Sequence, residues 1–344
     1  MIVCLDVGTT EFRSLRRNSN CLSGRRSPAV YVSLPADDAD LNLLQQMRIP
    51  TIHCDDSLIV VGAAALDLAK SMRMPSIPLL IDGLVPTNDP LGRQLIATVI
   101  DSILPSSNDS APCGLVSRSA VDFEQSTDLQ LYAQLLRLKG YHPVPVTSAS
   151  AVAFAELGAD QFTGMVLDWG ASGASLGVYR LGETLVESNL VNGGNLIDER
   201  IATLRKRFSW DREGNRYLDT HVIESWKKSA GIRVDQPRSD DEKLLSEIYR
   251  EQLMTILLRF RAAIHSSSAS WMFAAPLKLV CSGGCTRVGG FLPLLAKLIQ
   301  EVELPIELSE IQVCTPDLFR SVPAWHGQHG RVHGPSSRYR GPRR

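Results

Sequence analysis

Apolar residues along this chain follow two alternating rhythms. Short runs at Ile2 to Leu5, Ser57 to Val61, Gly114 to Ser117, Tyr141 to Val146, Met165 to Leu167 and Leu277 to Cys281 are too short for helices and read as buried strands. Between them, apolar residues recur every three or four positions. This predicts helices at Gly62 to Lys70, Gly92 to Leu104, Thr127 to Lys139, Ser148 to Leu157, Leu196 to Phe208, Val222 to Ser229, Glu242 to His265 and Phe291 to Val302. In the longest, Leu245, Ile248, Leu253, Ile256, Leu257 and Phe260 lie mostly on one face. Gly140 stops the helix before it, and the proline-rich stretch from Pro75 to Pro90 reads as a connecting loop. Alternation of this kind predicts an α/β chain.

Two stretches repeat one theme. Ile2 to Leu5 leads through a glycine turn to strands at Phe12 to Arg16 and Ala29 to Leu34. Met165 to Leu167 leads through another glycine turn to strands at Ala174 to Arg180 and Glu183 to Asn189. Two copies of strand, glycine turn, strand, strand predict an internal duplication. With 344 residues, the chain has room for two domains with separate cores.

The candidate chemistry sits in three turns: Asp6-Val7-Gly8-Thr9-Thr10, Asp168-Trp169-Gly170-Ala171-Ser172-Gly173 and Ser282-Gly283-Gly284-Cys285-Thr286-Arg287. Small residues at a strand end let backbone N–H groups turn toward an anion. Asp6 and Asp168 stand where a carboxylate can hold a hydrated cation beside a phosphate. Each feature alone has an ordinary reading. Asp, Gly and Thr are common turn formers, Glu224 with Lys227 and Lys228 reads also as a solvated helix face, and Arg13 reads also as part of a basic strand surface. Trp169 reads as a packing residue.

Composition removes several function classes. A net charge of -1 offers no overall field for nucleic acid. No apolar stretch is long enough to span a bilayer, and the N-terminus enters a strand without a signal peptide, so a cytoplasmic protein is expected. The seven cysteines are scattered, Cys281 and Cys285 lack the second pair a zinc site needs, and reduced core thiols are the expectation. Residues 325–344 carry His326, His329, His333, Arg338, Arg340, Arg343 and Arg344 without apolar periodicity. They are predicted to form a disordered basic tail.

In this order the motifs resemble the actin-like ATPase superfamily, in the branch of MreB and the DnaK-type chaperone nucleotide domains. Asp6 to Thr10 resembles the first phosphate loop and Asp168 to Gly173 the second. Asn192-Gly193-Gly194-Asn195-Leu196-Ile197-Asp198 resembles the following Gly-Gly step, and Glu224-Ser225-Trp226-Lys227-Lys228 the helix that grips the adenosine. Gly283-Gly284-Cys285-Thr286-Arg287 resembles the adenosine loop, and Thr315-Pro316-Asp317 the helix start beyond it. Val61-Gly62, the Ala-rich helix to Lys70, and Ile81-Asp82-Gly83-Leu84-Val85 are most similar to MreB.

The resemblance implies a duplicated two-domain, actin-like (ribonuclease H-like) fold with a nucleotide cleft. Domain I would comprise residues 1–146 with 315–324, and domain II residues 147–314. ATP or ADP with Mg²⁺ is the implied cofactor. Asp6 and Asp168 would orient waters on the metal. Gly8, Thr9, Thr10, Arg13, Gly170, Ala171, Ser172, Gly193 and Gly194 would serve the phosphates, and Glu224, Lys227, Lys228, Gly283, Gly284, Arg287 and Asp317 the nucleoside side.

Two departures qualify the activity. Where the chaperones and MreB have Glu-Pro at the crossover, this chain has Thr147-Ser148, and a hydroxyl cannot serve as a carboxylate base. The second loop also resembles that of PilM-type pilus proteins, which bind ATP as scaffolds. The expectation is therefore an ATP-binding, MreB-like cytoskeletal or conformational switch with slow hydrolysis at most, self-associating into filaments or recruiting a protein assembly. The alternatives are a non-hydrolysing PilM-type scaffold and a DnaK-like ATPase without a peptide-binding domain. A sugar kinase ranks last, for want of an acidic base facing a sugar pocket.

Overall fold

The computed structural model describes residues 2–18, 21–72, 74–108, 110–118, 126–210, 214, 216–267, 273 and 275–314. It is a mixed α/β chain. The first half opens with an antiparallel meander of β1 (Ile2–Val7), β2 (Glu11–Asn18) and β3 (Cys21–Pro28). A small sheet follows, made from β4 (Val30–Pro35), β5 (Ile52–Cys54), β6 (Ser57–Val61) and β7 (Ile77–Pro78), with α1 (Asp38–Gln46) and α2 (Ala63–Met72) between its strands. Helix α3 (Pro90–Ile103), β8 (Pro112–Ser117), α4 (Thr127–Leu138) and β9 (His142–Thr147) complete this half. Strands β8 and β9 run parallel to β1, giving the order β3-β2-β1-β8-β9.

The second half begins with α5 (Ser148–Glu156), then the meander β10 (Gly164–Trp169), β11 (Ala174–Arg180) and β12 (Glu183–Leu190). Next come α6 (Gly194–Leu204), a hairpin of β13 (Phe208–Trp210) and β14 (Arg216–Leu218), α7 (Thr220–Lys227) and the long α8 (Asp240–Ser266). Strand β15 (Leu277–Ser282), a 3₁₀ turn at Gly284–Arg287, α9 (Phe291–Val302) and β16 (Leu308–Val313) close it. The order β12-β11-β10-β15-β16 matches the first sheet in sequence and in strand direction. The duplication expected from the meanders is therefore present in topology.

The central strands are apolar on both faces because helices cover both sides: Val3, Cys4 and Leu5 are at most 2% exposed, and Met165, Val166 and Leu167 at most 1%. The helices start where hydroxyl or carboxylate side chains take up free N–H groups. Asp89 accepts from Gly92, Ser126 from Leu129, Asp219 from Val222 and Ser239 from Glu242.

The third meander strand of the first half differs from expectation. It is Cys21–Pro28, and the stretch from Ala29 to Leu34 feeds β4 of the small sheet instead. Strand β3 lies at a sheet edge and is exposed over most of its length, so it carries no apolar alternation to announce it. The helix expected to reach Phe208 ends at Leu204, with Lys206 at positive φ turning the chain into β13. Short, exposed or polar elements such as α1, β13, β14 and β16 left no comparable signal. The proline-rich loop contains only the two residues of β7.

Candidate functional site

Because the two sheets share one topology, Asp6 and Asp168 occupy equivalent strand ends. Asp6 stands opposite Arg13 and Val116, and Asp168 opposite Ser175 and Ser282. The two carboxylates feel one another's charge. Burial pushes Asp6 up to about 6 despite the pull of Arg13, with Asp168 and Glu11 adding to the rise. Burial also raises Asp168, while the hydroxyls of Ser148 and Ser282 and the charge of Arg13 draw it back. Arg13 lies 3.6 Å from Asp6 and places its Nε 2.7 Å from Glu11. Two carboxylates at equivalent strand ends, both raised by burial, fit a site in which a cation would offset their charge.

The glycine turns beyond these residues touch. Thr9 Oγ1 donates to Ser172 Oγ at 2.7 Å, so the first and second loops meet directly. The turn from Ile81 to Leu84 closes over both. A Cβ at Gly83, which has φ +80°, would sit 2.5 Å from Ser172 Oγ and 3.0 Å from Thr9 Oγ1, so only glycine permits the approach. Among the described residues, the amides of Gly8, Thr9, Thr10, Ala171 and Ser172 donate to no backbone carbonyl. They remain available to an anion.

Gly193 and Gly194 brace the second loop from behind. The Gly194 amide donates to the Gly170 carbonyl at 3.0 Å and the Asn195 amide to Ala171 at 2.8 Å. A Cβ at Gly193 would meet Ala171 O and Gly173 N at 2.4 Å. Cys285 Sγ lies 3.5 Å from Gly170 O, tying in the third turn. Gly283 has φ +96° and passes so close to Trp169 that a Cβ would meet its carbonyl at 2.2 Å. Trp169 itself packs in the core against Tyr249 and Phe291.

The residues expected on the nucleoside side divide. Gly284 and Arg287 are exposed on the 3₁₀ turn. Glu224 is half-exposed and pairs with the exposed Lys228 one helical turn away. Lys227 points inward: its Nζ lies 2.7 Å from Asp198, both side chains are at most 7% exposed, and it reaches Gly194 O at 3.4 Å. Its ammonium is committed to holding α7 against the start of α6, rather than turned to the nucleoside side where the resemblance places it. Asp317 lies outside the described residues, as do the rest of the Thr315-Pro316-Asp317 motif and the tail.

Thr147 caps α5. Its Oγ1 accepts from Ser150 N at 3.0 Å and donates to Ser150 Oγ at 2.7 Å. Beside it, Ser148 Oγ is buried and forms no hydrogen bond of ordinary geometry, although it lies close enough to favour an ionised Asp168.

Sequence reasoning missed three groups here. Arg118, just past β8, donates to the Ser172 carbonyl at 2.8 Å and to Ser172 Oγ at 2.9 Å. Asp198, read only as part of a glycine step, anchors Lys227. Glu187 on β12 accepts from the Tyr179 hydroxyl at 3.1 Å, keeps its other oxygen buried, and feels the charge of Asp168. Burial raises its carboxyl, with the Asn189 amide and Tyr179 hydroxyl opposing. The alternation of β12 was the available signal, since Glu187 and Asn189 share one face. Among the described residues, no group of three or more His, Cys, Asp or Glu side chains is placed to hold a metal ion, no disulfide joins the cysteines, and no helix is long and apolar enough to cross a membrane.

Comparison with known proteins agrees with this architecture. A family profile described as Volactin matches residues 1–321. A MamK double helical filament is similar at 17% identity and a TM-score of 0.66, covering 95% of this chain and 99% of that one. MreB5 of Spiroplasma citri bound to ADP is similar at 13% identity and 0.65, covering 96% of each chain. A non-polymerising MamK mutant bound to AMPPNP aligns at 16% identity and 0.53, covering 95% and 98%. No curated protein matches the sequence. The fold is that of the two-domain actin-like ATPases.

Proposed function

We propose that this chain, which belongs to the Volactin family, binds ATP with Mg²⁺ between its two sheets and acts as a nucleotide-dependent conformational switch of the cytoskeletal type. The observation carrying this reading is the meeting of equivalent loops: Thr9 on Ser172, with Asp6 and Asp168 behind them. The uncommitted amides of both loops suit phosphate oxygens. Asp6 and Asp168 suit a hydrated Mg²⁺, which keeps most of its waters and would neutralise phosphate charge. Gly284, Arg287 and Glu224 border the space for the nucleoside. In this reading domain I is 1–146 with 315–324, and domain II is 147–314.

Turnover is expected to be slow. The Thr147 hydroxyl is spent on capping α5, and Glu187, a half-buried carboxylate held by Tyr179, sits two strands away from Asp168. Positioning a water thus falls to Glu187 from a distance. The cap at Thr147 also favours the second reading, a PilM-type scaffold that holds ATP without cutting it. The likeness to a MamK filament supports self-association as the output of the switch.

ATP affinity by calorimetry and phosphate release in single-turnover mixing test the reading. Binding with slow release is expected. No release over hours would leave the scaffold, and no ATP binding would remove both. Sedimentation with and without ATP tests assembly, which fails if the protein stays monomeric at high concentration.

A further inference from the structure

Arg118 is a feature of the cleft that no motif accounts for. The duplication explains its position. Asp6 pairs with Val116 as Asp168 pairs with Ser282, so Arg118 in the first half is the counterpart of Gly284 in the second. Where one half places an open glycine at the nucleoside end, the other places a guanidinium. The side chain then crosses to the second loop, and both of its contacts there fall on Ser172. It packs so closely that a Cβ on Gly173 would stand 2.9 Å from its Nη1.

The charge is poorly matched by its surroundings. Its hydrogen bonds go to a carbonyl and a hydroxyl, and Asp82 is the carboxylate whose charge reaches it. Burial lowers its basicity, so a partly buried guanidinium stands beside amides that donate to no carbonyl. An anion arriving between Thr9 and Ser172 would gain a planar, two-pronged donor.

We propose that Arg118 is the residue that reads the terminal phosphate of the nucleotide. Without that phosphate it binds Ser172 and joins the two halves itself. With it, the guanidinium turns from the Ser172 carbonyl to the phosphate oxygens, and the phosphate becomes the bridge. ATP and ADP therefore leave the halves joined in different ways. This rests on the ATP-binding reading above and assigns a residue within it.

The test is calorimetric affinity for Mg-ATP and Mg-ADP in the unaltered full chain, Arg118→Ala and Arg118→Lys, with the thermal midpoint of each nucleotide-free protein as a control on folding. Arg118→Ala is expected to weaken ATP at least about tenfold while ADP changes less than about twofold. Arg118→Lys, which keeps the charge but loses the fork, is expected to recover part of the loss. Equal weakening of both nucleotides, or no change in either, overturns the assignment and leaves the ATP reading standing. Failure of the unaltered protein to bind ATP overturns both.

Discussion

Thr9 Oγ1 and Ser172 Oγ, 163 positions apart in sequence, stand 2.7 Å apart in space. Each belongs to a small-residue turn at the end of a central strand, and their contact is the direct seam between the two turns. Ser172 also takes both contacts from Arg118.

Ser172→Ala removes the shared acceptor of Thr9 and Arg118 and a hydroxyl beside the phosphate position. The expected result is a roughly tenfold weaker Mg-ATP affinity, since a hydrogen bond to a charged group contributes about 1.5 to 3 kcal/mol. Calorimetry reads it, and an unchanged affinity would place the phosphate away from this seam.

Lys227→Met is expected to destabilise the fold strongly, by about 3 to 5 kcal/mol, because it strands a buried carboxylate. Pairing it with Asp198→Leu should recover most of that loss, as replacing both partners removes the uncompensated charge. Urea unfolding of the two variants measures the difference. If Lys227→Met were as stable as the unaltered protein and bound ATP less well, the lysine would belong to the nucleotide after all.

Burial pushes Asp198 up to about 6 against the pull of Lys227, whereas an Asp in the unfolded chain titrates near about 3.9. Between these values the folded state holds a proton that the unfolded chain has released. Asp198 thus adds stability as pH falls from about 6 toward 4, and that contribution is lost as pH rises through about 6. Asp198→Asn should flatten this part of the curve of urea midpoint against pH. Parallel curves for the two proteins would contradict the shift.

Glu187→Gln keeps the shape of the side chain and its contact with Tyr179 but removes its capacity to accept a proton. Single-turnover hydrolysis should fall by about a hundredfold, with ATP affinity within about twofold. An unchanged rate would reduce Glu187 to a support for Tyr179.

The parts of the site legible in the sequence are those made locally. Asp6-Val7-Gly8-Thr9-Thr10 and Asp168 to Gly173 announce themselves because strand, carboxylate and small-residue turn are consecutive. The apolar face of α8 was legible for the same reason. Arg118 and Glu187 were not, because each becomes a site residue only through strand pairing that brings its strand to the cleft. Lys227 reads as a surface residue on its own helix, and only the packing of α7 on α6 reveals Asp198 beneath it. Gly83 was legible only as part of a resembling run, and its approach to Ser172 emerges only from the fold.

Among the described residues, strand β3 has an outer side with no neighbour in its sheet. Its counterpart β12 is overlaid by α8, from which Arg259 reaches the Asn189 carbonyl. A bare strand margin is an invitation to unwanted pairing between molecules. Here the margin reads Cys21-Leu22-Ser23-Gly24-Arg25-Arg26-Ser27-Pro28, with two adjacent cations, a glycine and a terminal proline. Those residues repel, loosen and cap a would-be partner strand, leaving any ordered assembly of this protein to be made through other faces.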